Sequence, residues 1–106
     1  MYGILPKSYQ LILDTLAEFN EVEQAFIYGS RATGTHKKGS DIDLAIMGEK
    51  ITENLLLKIK VKLEHELPIP YFFDLTHFER ISNPALKEHI ENYGKLIYQS
   101  AKKQSV

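Results

Sequence analysis

The sequence predicts a small α/β fold: a mixed sheet with helices packed mainly on its one apolar face. Three observations carry this. Apolar residues recur at three- and four-residue steps over 6–19, 52–66 and 84–93, the spacing of amphipathic helices. Short runs rich in β-branched and aromatic residues stand between them, at 24–28, 41–47 and 69–75. The two kinds of segment alternate, and 106 residues suit a single domain spanning 1–106.

Pro6 opens the first helix, which carries Tyr9, Ile12, Leu13, Leu16 and Phe19 on one stripe. Gln24 to Tyr28 reads as a strand that Gly29 ends, and Ser30 to about Thr35 as a turn opening a short helix. Asp41 to Met47 alternates: Ile42, Leu44 and Ile46 point one way, and Asp41, Asp43 and Ala45 the other. The first two strands are joined by about a dozen residues, so either pairing sense is open. Thr52 suits the cap of a helix to about Glu66, with Leu56, Ile59, Leu63 and Leu67 buried. Pro68 and Pro70 stop it. Ile69 to Leu75 reads as a third strand, with Tyr71, Phe73 and Leu75 on one face and Phe72 and Asp74 on the other. A short helical turn is expected within Thr76–Ile81. Asn83-Pro84 opens the last helix, which runs to Tyr93 with Gly94 as its C-terminal cap. Leu96 to Tyr98 reads as a short strand, and Ala101–Val106 as a frayed tail.

Composition removes several function classes. Thirteen basic and fourteen acidic residues leave a formal charge of −1, which disfavours a nucleic-acid partner held by phosphate attraction. No apolar run reaches the roughly 18 residues of a membrane span. The absence of cysteine excludes disulfides and thiolate metal sites, and fits a cytoplasmic protein. The four histidines (His36, His65, His77, His89) are scattered without ligand spacing, which argues against zinc.

The chemistry concentrates in two places. Asp41 and Asp43 are two apart on a strand and leave the same face. Asp74 joins them if the second and third strands are neighbours. Two carboxylates about 5 Å apart repel by roughly 3 kcal/mol at an effective dielectric near 20. Three of them ask for a cation, and oxygen-only ligands suit Mg²⁺. Gly29-Ser30-Arg31, between strand and helix, supplies close backbone approach, a hydroxyl and a permanent charge for a phosphate. Ser40, just before Asp41, is a further candidate phosphate contact. Alone, an Asp-x-Asp pair is usually a solvated face and a Gly-Ser usually a turn. Their combination carries the reading.

Gly29-Ser30, ten intervening residues and Asp41-Ile42-Asp43 in an apolar strand resemble the signature of the DNA polymerase β-like nucleotidyltransferase superfamily. The form from Gly29 to Leu44 is most similar to the minimal nucleotidyltransferase, or MNT, group. The resemblance implies a nucleotidyltransferase-like fold, with Gly29 and Ser30 on the nucleotide phosphates. Asp41 and Asp43 would hold two Mg²⁺ ions, with Asp74 as the third acid. It further implies ATP as donor, transfer of AMP to a hydroxyl of a partner HEPN-type toxin, and an antitoxin role; separately, a small sheet with one exposed face predicts a homo- or hetero-oligomer. Two alternatives stay open: a non-catalytic module that neutralises the toxin by contact, and nucleotidyl transfer to a small molecule.

Overall fold

A computed structural model describes residues 1–101. The elements run α1 (Pro6–Ala17), β1 (Gln24–Tyr28), α2 (Ser30–Thr33), β2 (Ile42–Met47), α3 (Glu53–Val61), β3 (Phe73–His77), α4 (Pro84–Tyr93) and β4 (Lys95–Gln99). The expected tail falls, beyond Ala101, outside the described residues.

The four strands form one mixed sheet in the order β3-β2-β1-β4. β1 pairs antiparallel with both β2 and β4, and β2 runs parallel to β3. The pairing sense left open by the sequence is therefore antiparallel between β1 and β2. Register decides which side chains share a face. Ile27 stands opposite Leu44 and Ala25 opposite Ile46. These residues, with Ile42, Ile12, Leu16, Leu56, Ile59 and Leu63, form the main core under α1 and α3. Tyr28 stands opposite Asp43, and Asp43 opposite Asp74. α4 crosses this second face, where Ile90 packs on Tyr28 and Ala45.

Local chemistry sets most boundaries. Thr52 Oγ1 accepts from the Leu55 N–H at 3.1 Å and starts α3. Asn83 Oδ1 accepts from the Ala85 N–H at 2.9 Å and starts α4, with Pro84 next. Two expectations shift. α3 ends its α-helical winding at Val61 and passes through a wider π-type turn, Lys62–Glu66. That turn lets the Glu64 carboxylate accept from the Phe73 N–H at 2.7 Å. The third strand begins at Phe73 rather than Ile69 and continues to His77. Pro68 and Pro70 have no N–H to give a ladder, and the Ile69 N–H turns back onto the Leu67 carbonyl. The expected turn after it is one 3₁₀ turn, Phe78–Arg80. Among the described residues no helix is long and apolar enough to cross a membrane.

Candidate active site

β1 ends at Tyr28, and the chain turns into α2 through Gly29 at φ 71°, ψ −154°. A side chain at 29 would collide with the Asp43 carboxylate, which lies against the Gly29 Cα. Glycine is thus required twice, by the left-handed φ and by the close approach of the acid. Among the described residues, the Ser30 hydroxyl and the backbone N–H groups of Ser30 and Arg31 have no protein partner. Three donors therefore lack a protein partner at the turn that carries Asp43 against it. α2 is a single turn, so these individual donors, not a helix dipole, are what an anion would meet.

Two of the acids, Asp43 and Asp74, are brought together by the pairing of β2 with β3. Asp43 and Asp74 are direct neighbours on parallel strands, whose spacing is about 4.8 Å. Asp41 precedes β2 on the same side. Burial pushes the Asp43 carboxyl above the ordinary carboxylate range, and the charges of Asp74 and Asp41 push it further. Arg31 pulls it back in part. Asp41 and Asp74 are exposed, and no three His, Asp or Glu side chains among the described residues are drawn into a closed metal-holding set. The donor chemistry fits a hard cation nonetheless: three carboxylates, no sulfur, and a central acid whose ionisation its neighbours oppose.

Tyr28 and Thr76 form the floor of this face. Their hydroxyls are 3.0 Å apart, and Tyr28 is buried. Burial raises the Tyr28 phenol pKa; the Thr76 bond offsets part of that, and Asp74 and Asp43 add to it.

Two candidates depart from expectation. Arg31 is only 3 % exposed, and its guanidinium is turned onto the protein. It donates to the Ser40 carbonyl through Nε (3.2 Å) and Nη2 (2.7 Å), and to the Tyr2 carbonyl through Nη1 (3.0 Å). It also stacks over Tyr71 at 5.0 Å. Its part at this turn is to clamp the 36–40 loop and the N-terminal segment. The Ser40 hydroxyl is engaged within the loop: it donates to the Lys37 carbonyl at 2.6 Å and accepts the Lys37 N–H at 3.0 Å. Both residues hold the loop in place where a direct phosphate contact was expected.

His89 is the residue that sequence reasoning missed. Its Nε2 accepts the Gly29 N–H at 3.2 Å, across 60 residues of sequence. It lies edge-on to Tyr28 and 5.4 Å from the Tyr93 ring. The only signal in the sequence was its place one residue before Ile90, on the flank of the buried stripe of α4.

The glycine turn, the acid pair and the antiparallel β1–β2 unit agree with a match to the polymerase beta nucleotidyltransferase family over residues 10–103. The chain belongs to that family. Solved structures of similar fold include a toxin–antitoxin complex with AMP-PNP, at TM-score 0.71 and 19% identity, covering 93% of this chain and 77% of that one. The MntA–HepT toxin–antitoxin matches at TM-score 0.67 and 17% identity, over 93% of this chain and 76% of that one. A tri-AMPylated Shewanella oneidensis HEPN toxin in complex with MNT antitoxin matches at TM-score 0.67 and 16% identity, over 98% and 77%. At these identities the likeness is one of fold. No curated protein sequence matches this chain significantly.

Proposed function

We propose that this nucleotidyltransferase domain transfers AMP from ATP to a hydroxyl of a HEPN-type toxin and so acts as its antitoxin. The observation that carries the reading is the contact of two features: a turn with three donors that lack a protein partner, and a carboxylate cluster packed against it through Asp43. The solved complexes supply the acceptor class by analogy of fold.

In this reading the Ser30 hydroxyl and the N–H groups of Ser30 and Arg31 hold the nucleotide phosphates. Gly29 leaves room for that approach. Asp41, Asp43 and Asp74 would hold two Mg²⁺ ions, which neutralise phosphate charge and lower the pKa of the attacking hydroxyl. Tyr28 and Thr76 fix the sheet beneath Asp43, and α4 walls the face through His89. The acceptor oxygen bonds the α-phosphorus as the bond to pyrophosphate breaks. The exposed side of Asp74 and Asp41 is where the acceptor approaches.

Incubation with labelled ATP, Mg²⁺ and the HEPN partner tests the claim. Label on the partner is expected with the native chain. The Asp41→Asn/Asp43→Asn variant should fall by more than about 10²-fold, the scale on which loss of a preorganised charge-stabilising group is felt. Equal labelling by both would remove the catalytic reading.

A second reading, neutralisation by contact alone, has one observation in its favour. Phe72 is 67 % exposed beside Asp74, and Tyr93 is 54 % exposed next to His89. Full protection of cells by the double Asn variant would favour it.

A further inference from the structure

β3 is an edge strand of the sheet, and it carries Asp74. The chain leading into it offers little to a ladder, because Pro68 and Pro70 have no N–H and the Ile69 N–H turns back onto Leu67. The Phe72 carbonyl accepts the Ile42 N–H at 2.9 Å and so faces β2. The next donor, the Phe73 N–H, takes its acceptor from outside the sheet: it donates to Glu64 Oε2 at 2.7 Å. Glu64 comes from the π-type turn, Lys62–Glu66, and a wider turn of this kind re-aims the side chains of a helix. Its side chain is only 7 % exposed, and its ion pair among the described residues is a long one, 3.9 Å to half-exposed Lys60. Burying a carboxylate is costly unless it is bonded, and a charged acceptor makes the stronger hydrogen bond. The Phe73 ring is buried in the main core. Ring and N–H together fix the residue directly before Asp74, which stands opposite Asp43.

We propose that Glu64 is a positioning residue for the acid cluster. By holding the first N–H of β3, it sets the place of Asp74 beside Asp43. The claim rests on the reading of Asp43 and Asp74 as metal-holding acids. It adds a residue that touches neither metal nor nucleotide and acts through the backbone of β3. Position matters here because Mg²⁺ demands near-ideal ligand geometry, so a small shift of one carboxylate is felt as lost affinity.

The test combines two readouts on the full chain. One needs no metal: amide hydrogen exchange, with cross-strand nuclear Overhauser contacts between Asp43 and Asp74. The other is Mg²⁺ affinity by titration calorimetry. Glu64→Ala should speed exchange at Phe73 and Asp74 and weaken the contacts between Asp43 and Asp74. Its Mg²⁺ affinity should fall about tenfold, the lower end of the loss when a group that holds a metal ligand is removed. Glu64→Met, similar in volume but without a comparable acceptor, takes its place if Glu64→Ala does not fold. Glu64→Gln keeps an acceptor oxygen and should restore most of both readouts, and Lys60→Ala should change neither. In an Asp74→Asn background, Glu64→Ala should cost no further Mg²⁺ affinity, since the two act through one ligand. An undiminished further loss there would mean a general structural role and would overturn the proposal. So would native exchange and native affinity in Glu64→Ala. If Asp74→Asn alone leaves Mg²⁺ affinity unchanged, or the native chain binds no Mg²⁺, the metal reading fails instead. The positioning claim then stands or falls on the contacts between Asp43 and Asp74.

Discussion

On one side of β2, Ile42, Leu44 and Ile46 are wholly buried among α1 and α3. On the other, Asp43 faces Asp74, Asp41 and the Gly29 turn, and its ionisation is opposed by its surroundings. Six consecutive residues thus serve two ends. The first side gains from every methylene it buries. The second holds like charges together, at a cost that a bound cation would relieve. Alternation at period two keeps the two apart, so the strained side can exist because the apolar side secures the strand.

The largest effect that sharpens this contrast is on the apolar side. Leu44→Ala should cost about 2–5 kcal/mol of unfolding free energy, read from the denaturant midpoint. A loss well below 1 kcal/mol would mean that β2 is held by something other than its core face. Gly29→Ala comes next. The left-handed φ alone costs about 1–3 kcal/mol, and the collision with Asp43 adds displacement of the acid. Denaturation and Mg²⁺ titration should therefore both worsen, whereas Leu44→Ala should lower stability with little change in Mg²⁺ affinity in the folded fraction.

His89→Ala removes the acceptor for the Gly29 N–H, a bond of about 1 kcal/mol. The KM for ATP should change more than kcat, and His89→Gln, which restores an acceptor oxygen, should recover it. A uniform fall in kcat with no recovery by Gln would mean that α4 does more than set the turn.

The smallest effect is the most diagnostic in sign. Native Asp43 binds a proton more readily than an ordinary carboxyl, because of burial and then Asp74 and Asp41. Its contribution to stability is full below the ordinary carboxylate range and is lost as pH rises through the raised native value. Asp43→Asn escapes that loss. Without metal, it should unfold at a higher temperature than the native chain at neutral pH, and the gap should close in acid. A variant less stable at neutral pH would place Asp43 in a stabilising bond instead.

What the sequence disclosed follows the same division. β1 and α4 were legible to the residue, because Gly29 and Asn83-Pro84 punctuate them. The shared facing of Asp41 and Asp43 was legible from alternation, whereas Asp74 joins Asp43 through the β2–β3 pairing that the sequence left open. β3 was misplaced because apolar residues at 69–72 look like strand, while only the ladder to Ile42 decides where pairing begins. Arg31 and Ser40 looked like phosphate ligands because charge and hydroxyl are visible in a string of letters and their carbonyl partners are not. His89 stayed hidden for the complementary reason: its partner is a backbone N–H sixty residues away, and no spacing encodes that.

If the polar face of β2 is a cation and nucleotide site built from mutually repelling acids, metal and nucleotide together should stabilise the fold. Thermal unfolding with Mg²⁺ and a non-hydrolysable ATP analogue tests it most directly, since a ligand that binds only the folded chain raises the midpoint with concentration. The expected result is a saturable rise for the native chain that needs both components and is absent in Asp41→Asn/Asp43→Asn. An equal rise in that variant, or none in the native chain, would contradict the claim.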